Sequence, residues 1–214
     1  MLNDIRLKKA ALSLIFVLGC GVSTAQSHDH SSSTPSFDSI LQAEAIDVQQ
    51  AAKFGSLIIQ DSGGRMKPAN TFASELVRKV TKSDHYKTFD ANQVLLSITQ
   101  NPLLWYQVPF VYLKRGNDSL RSLIGVAKKA KYAAFANFFD ASGNYKLAPM
   151  IESAYKSATP NQFQKDFIET DRKVNLLFSA FEGKVLRIFP VPNDVNNRWI
   201  SLPEVAETQL QGVD

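Results

Sequence analysis

The stretch "SLIIQDSGGRMKPANTFASELVRKV", Ser56 to Val80, sets an apolar run, a double glycine and an amphipathic stripe in immediate succession. The run "SLIIQ" is short and apolar, which predicts a strand ended by a turn at Gly63 and Gly64. Two glycines let the backbone turn tightly at positive φ. Arg65 and Lys67 follow them directly. Phe72, Leu76 and Val80 then share one stripe, so a helix is expected here, with Asn70 or Thr71 as N-cap and Glu75 in its first turn. A strand, a turn and a helix in one short segment point to an α+β fold, mainly α with a few short strands.

Two orientations are open for the cations of this turn. Facing outward, Arg65 and Lys67 beside a helix N-terminus would make a competent carboxylate or phosphate contact. Facing inward, Arg65 would pin the loop to a neighbouring carbonyl or acid, and this is the orientation expected. The stretch lacks the G-x-x-x-x-G-K-[ST] spacing of a phosphate-binding P-loop, and the chain has no dinucleotide G-x-G-x-x-G. Gly63, Gly64 and Pro68 are therefore read as shaping a strand-to-helix turn.

On the N-terminal side, "FDSILQAEAIDVQQAAKFG" carries Ile40, Leu41, Ala45, Val48 and Ala52 at helical spacing, with Gly55 as the stop. On the C-terminal side, "DANQVLLSITQNPLLWYQVPFVYLKR" begins as a helix and is broken at Pro102 and Pro109. "FVYLKR" is expected as a strand before a turn at "GND". "LRSLIGV" and "AKYAAFANFFD" read as two short helices followed by the loop "ASGNYKLAP". The strongest helical signal is "TPNQFQKDFIETDRKVNLLFSAFEG", with Thr159 as cap, Pro160 in the first position and Gly183 at the end. Phe163, Phe167, Val174, Phe178 and Phe181 share its apolar face, and Glu169 is placed to pair with Lys173. "KVLRIFPVP" reads as a strand, and "ISLPEVAETQLQGVD" as a polar stretch that buries little.

The first residues stand apart. Arg6, Lys8 and Lys9 precede the apolar run Ala10–Ala25, which ends in Ser23-Thr24-Ala25. That is the pattern of a secretory signal peptide, and the run is shorter than the roughly 20 apolar residues of a membrane span. Three fates are open: cleavage after Ala25, lipidation at Cys20 in "VLGC", and a retained anchor. Cys20 is the single cysteine, so no disulfide and no thiolate metal site is expected. The expected organisation is a signal peptide or anchor over 1–25, a flexible polar tether over 26–36 and a globular domain over 37–201. A polar tail over 202–214 follows, with sequence expected to continue beyond Asp214. The net charge of +4 falls once the signal is set aside, leaving 21 cations against 19 carboxylates. That balance argues only weakly for an anionic partner, and an exported chain is not expected to bind nucleic acid.

Catalytic chemistry finds little support. His28 and His30 lie in the tether and make at most an adventitious metal site. His85, in "KSDHYK", reads as solvated, and no G-x-S-x-G elbow accompanies it. There is no C-x-x-C-H and no H-E-x-x-H motif. Of Glu152, Asp166, Glu169, Asp171 and Glu182, those on the long helix read mainly as its solvated face, and no acid/base pair is expected among the five. Phe135, Phe138 and Phe139 read as core. Trp105 and Tyr106, between two prolines, fit either an exposed binding ridge or membrane-interface anchor, or the core.

Three segments carry a resemblance: "FGSLIIQDSGGRMKPANTFASELVRKV", "QVLLSITQNPLLWYQVPFVYLKRGND" and "NQFQKDFIETDRKVNLLFSAFEGKVLRIFPVPND". Together, over Phe54 to Ser201, they resemble the extracytoplasmic region of CcsA/ResB-type cytochrome c biogenesis proteins. The most specific element is G-G-R-x-K-P-x-x-T-F, here Gly63, Gly64, Arg65, Lys67, Pro68, Thr71 and Phe72. The resemblance implies a role in delivering haem to the outer membrane face and in its attachment to apocytochrome C-x-x-C-H motifs. The family's haem handling rests on membrane-embedded histidines and a W-W-D-type segment. This chain departs from it: it has two tryptophans, no such segment and no apolar span after residue 25. The expectation is thus a non-catalytic, exported domain at the periplasmic or outer membrane face, possessing no cofactor of its own while haem belongs to the assembled system. Its implied partners are a membrane haem-delivery subunit and apocytochrome c. Its candidate binding residues are Arg65, Lys67, Thr71, Trp105 and Tyr106, with Gly63, Gly64, Pro68 and Phe72 as structural members of the motif. The rival reading is a free-standing exported binding module or lipoprotein unrelated to cytochromes.

Overall fold

The computed structural model describes residues 37–207, and the expectations for the signal, the tether, Cys20, His28, His30 and residues 208–214 lie outside them. The described chain mixes helices with short strands, which pair two by two, each pair antiparallel. None of its helices is long and apolar enough to cross a membrane.

The expected N-terminal helix is two helices, α1 (Phe37–Ala43) and α2 (Val48–Gly55). Asp47 divides them: its side chain accepts from the backbone N–H groups of Gln49 and Gln50, which caps a new helix instead of continuing the old one. The break resets the apolar phase, so Leu41, Ile46 and Ala51 are buried while Val48 is exposed.

Strand β1 (Ile58–Gln60) forms as expected, but the double glycine does not lead straight into a helix. It closes a hairpin with β2 (Met66–Pro68), in which Ile59 faces Lys67. Helix α3 (Ala69–Thr81) starts directly from Pro68, its N-cap residue, with no side-chain cap. Asn70 and Thr71 are therefore inside its first turn, and the fixed φ of Pro68 supplies the entry geometry instead of a capping side chain.

A tight hairpin, β3 (His85–Tyr86) with β4 (Phe89–Asp90), leads into α4 (Ala91–Gln100), which Asp90 and Gln93 close with a reciprocal capping box. Pro102 starts the short helix α5 (Pro102–Gln107), and Pro109 opens β5 (Pro109–Tyr112). After α6 (Asp118–Ile124), the second expected short helix is instead the strand β6 (Tyr132–Ala134) and a 3-10 turn, Phe135–Phe138. Pairing with β5 overrides the helical preference of its alanines. Helix α7 (Ala148–Lys156) begins inside the expected loop and was not anticipated.

The long helix α8 (Gln162–Phe181) begins two residues after Pro160, because Asn161 and Gln164 form its capping box. Gly183 adopts φ +70° just beyond its end, as expected. Strands β7 (Arg187–Pro190) and β8 (Trp199–Ser201) pair, and the tail opens as α9 (Leu202–Glu207). Glu204 anchors that start by accepting from both the backbone and the hydroxyl of Ser201.

One core joins α3, α4, α8 and β5, built on Leu76, Val80, Leu95, Ile98, Phe110, Phe138, Phe167 and Leu177. Full burial of each such side chain contributes about 1.5–3 kcal/mol. Trp105 belongs to this core: it is 1% exposed, its indole N–H donates to Ser97 Oγ at 2.9 Å, and its ring meets Phe110 edge-on at 5.1 Å. The exposed-ridge alternative for Trp105 is thereby corrected. Tyr106 packs on Phe135 and Phe181.

The solvated reading of the α8 carboxylates needs the same correction at two positions. Asp166 and Asp171 are buried. Asp166 meets Lys114 Nζ at 3.1 Å and Gln162 Nε2 at 2.7 Å, while Asp171 accepts from the hydroxyls of Tyr145 and Tyr155. Burial, and then the Asp171 charge, push the Tyr145 phenol above its usual range. Glu169 pairs with Lys173 at 3.1 Å as expected. Phe163 and Phe178 are exposed, so only Phe167, Val174 and Phe181 of the expected aromatic face reach the core.

Candidate functional site

The β1–β2 hairpin is organised by one carboxylate. Asp61 Oδ1 accepts the backbone N–H groups of Gly63 at 2.8 Å and Arg65 at 3.0 Å. Its own backbone N–H donates to the Arg65 carbonyl at 2.9 Å. The two glycines serve this knot differently. Gly64 stands at φ +80°, a conformation that L side chains rarely adopt. A Cβ on Gly63 would lie 3.3 Å from Asp61 Oδ1, so glycine permits the close approach of the carboxylate.

Lys67 turns inward. Its ammonium lies 3.0 Å from Asp61 Oδ2 and 3.1 Å from Glu75 Oε2, so it ties the hairpin to α3. The hydrogen bond to Asp61, and then that to Glu75, raise its pKa above the usual lysine value. The Arg65 backbone N–H and the Lys67 ammonium in turn lower the Asp61 pKa to about 2. Arg65 turns outward. Its side chain is 83% exposed and touches Asp61 only through Nε, at 3.5 Å. The inward expectation is thus right for Lys67 and wrong for Arg65, because Asp61 Oδ1 is already engaged by backbone donors and Oδ2 by lysine.

Sequence reasoning missed Gln60. Its buried amide donates to the carbonyls of Gly64 and Asn197 and accepts from the Trp199 backbone N–H at 2.7 Å. It thereby fastens the glycine turn to the β7–β8 hairpin. The signal was faint: a polar residue ending an apolar strand.

Hairpin, α3 and the end of α8 enclose a cleft of about 540 Å³. Five cations line it, Arg65, Lys67, Lys79, Lys184 and Arg187, against the carboxylates Asp61 and Glu75, a net of +3. Phe72, Leu176 and Val185 supply its apolar wall. Lys67 is neutralised as described, and Lys184 pairs with Glu182 at 2.9 Å. Arg65, Lys79 and Arg187 remain to meet an incoming anion. Gly63, Arg65, Lys67 and Phe72 of the sequence motif line the cleft together. Thr71 does not: it lines an adjoining polar depression with Asn70, Ser74 and Arg78, which shares Glu75 with the cleft. Trp105 and Tyr106 line neither.

The donor set bears on haem. The cleft offers cations that could meet propionates, but among the described residues its lining includes no imidazole and no thioether for the iron. His85 stands at another depression, beside Tyr86 and Pro109, with its Nδ1 2.7 Å from Asp84. The cleft residues therefore do not fit a haem held through its iron.

No family model matches the chain. The chain is similar to Protein NrfI of Wolinella succinogenes, 32% identical over 202 residues. That alignment takes in 93% of this chain and 22% of NrfI, so the chain spans about a fifth of the length of the curated relative it matches.

Proposed function

We propose that this chain is an extracytoplasmic part of a cytochrome c maturation machine, acting without catalysis of its own by docking to an acidic face of a partner. The observation that carries this reading is the similarity to NrfI over nearly the whole chain, which points to cytochrome c maturation. The resemblance of Phe54–Ser201 to the extracytoplasmic region of CcsA/ResB-type proteins supports it, and makes the membrane haem-delivery subunit the first partner and apocytochrome c the second. An exported location at the outer face of the cytoplasmic membrane belongs to the same proposal.

The chemistry of the cleft suits docking. A rigid hairpin, knotted by Asp61 and bolted to α3 by Lys67, presents Arg65 to solvent beside Lys79 and Arg187. Such a charged rim steers a complementary acidic surface and sets its register. Phe72, Leu176 and Val185 offer a modest apolar floor to bury against.

Deleting the codons for 37–207 in the native host tests the assignment. Membranes stained for covalently bound haem should lose their c-type cytochromes. Unchanged staining would instead favour a free-standing exported binding module.

A further inference from the structure

A second basic concavity lies where α6 connects β5 to β6, and it shares no lining residue with the hairpin cleft. Its centre is Arg121, 3% exposed. Nε donates to the Ala130 carbonyl at 3.0 Å and Nη1 to that of Asn117 at 3.0 Å. Nη2 donates to those of Lys114 at 2.9 Å and Leu113 at 3.3 Å. The guanidinium thus holds the 113–117 turn against the 127–131 turn. Its hydrogen bonds run to neutral carbonyls, and no carboxylate pairs with it among the described residues. Arginine stays protonated in proteins, so a full buried charge is stabilised here by dipoles alone.

The rim adds to that charge. Arg115, Lys128, Lys129 and Lys131 line the same cavity of about 340 Å³, and among the described residues no aspartate or glutamate lines it. All four are exposed. Among the described residues, none of them forms an ion pair. Lys131 lies over the Tyr132 ring at 5.3 Å, and the nearby Lys114 is already taken by Asp166. Asn117, which caps α6 by accepting from the Leu120 N–H, also carries a buried side-chain N–H group without an acceptor. Positive charge is gathered on this rim with no carboxylate to answer it among the described residues. Mutual repulsion within such a cluster destabilises the fold unless an anion relieves it.

We propose that this cavity is a binding site for a phosphate group. Four rim cations around one buried guanidinium exceed what a carboxylate needs. A phosphate offers three or four acceptor oxygens and up to two charges, and Arg115 can grip it with a fork while the lysines act as point charges. The volume leaves room for the group that carries the phosphate, which is either a phospholipid headgroup or a soluble phosphate compound.

The full chain provides the test, with two probes. Inorganic phosphate, titrated against chloride at constant ionic strength, should raise the thermal unfolding midpoint. Sedimentation with vesicles of phosphatidylcholine, with and without an equal part of phosphatidylglycerol, reads the headgroup arm as the difference between the two. Phosphate binding without a vesicle difference assigns a soluble ligand. A vesicle difference that inorganic phosphate competes away assigns a headgroup. Lys128→Ala with Lys129→Ala should weaken the responding probe by about tenfold or more, and Lys128→Arg with Lys129→Arg should retain it. Arg115→Ala, on the opposite rim, should weaken it likewise. Lys53→Ala, an exposed cation of α2 that lines neither cavity, should leave it unchanged. If neither probe binds the parent chain, or if the Lys128→Ala, Lys129→Ala chain and the Arg115→Ala chain both bind as the parent does, the site does not exist.

Discussion

Two turns of this molecule are built on opposite charges. In the β1–β2 hairpin a carboxylate, Asp61, gathers backbone N–H groups; between β5 and β6 a guanidinium, Arg121, gathers backbone carbonyls. Asp61 is answered by Lys67, and the charge passes on to Glu75. Among the described residues, Arg121 is answered by no carboxylate. The first arrangement closes on itself and frees a single cation, Arg65, for solvent. The second leaves its charge and its rim unmet. An ionic knot that is internally balanced shapes a surface, whereas one left unbalanced calls for a ligand.

The comparison can be broken most severely at Arg121. Arg121→Met should destabilise the fold by roughly 3 kcal/mol or more, because two buried and two half-buried carbonyls lose their donor at once. Urea unfolding reads this directly, and a loss below about 1 kcal/mol would show that water replaces the guanidinium.

At Asp61 the signature is pH. Its carboxyl titrates at about 2 in the folded chain against 3.8 when unperturbed, a depressed value. Its contribution is therefore fully present above the unperturbed value and is lost as the pH falls from about 4 to about 2. Asp61→Asn should remove that part of the acid dependence and leave the curve above pH 5 parallel to the parent's. An unaltered acid limb would mean that Asp61 does not hold the hairpin.

The glycines give a smaller effect. Gly64→Ala should cost about 1 kcal/mol through its positive φ. Gly63→Ala should act through Asp61, weakening the same acid-dependent stability by crowding its carboxylate. Arg65→Ala should be nearly silent, within about 0.5 kcal/mol in thermal unfolding, since its side chain is mostly exposed. A large loss there would return Arg65 to the inward role.

These contrasts also mark how far the sequence could be read. Helices α3, α4, α6 and α8 were legible from apolar spacing, and the Gly63-Gly64 turn from its residues. Short-range polar bonds decided what was missed. Asp47 splits the first helix, and Asn161 displaces Thr159 as a cap. Strands β2 and β6 depend on partners outside their own segments, so Met66–Pro68 and Tyr132–Ala134 carry little local sign of being strands. The site was half legible. Gly-Gly-Arg-x-Lys announced a cationic turn, but the division of labour between Arg65 and Lys67 was set by Asp61 and by Glu75, one helical turn beyond the motif's start in α3. Arg121 looked like an ordinary helix residue, because burial by two flanking turns leaves no periodic trace.

The most direct test of the proposed role reverses charge on the outward rim of the hairpin cleft. Arg65→Glu with Lys79→Glu, introduced in the native host, should leave the protein folded and at parental abundance while covalently haem-stained c-type cytochromes fall sharply. Parental staining with the variant present in normal amount would contradict the claim that this rim docks the chain to its maturation partner.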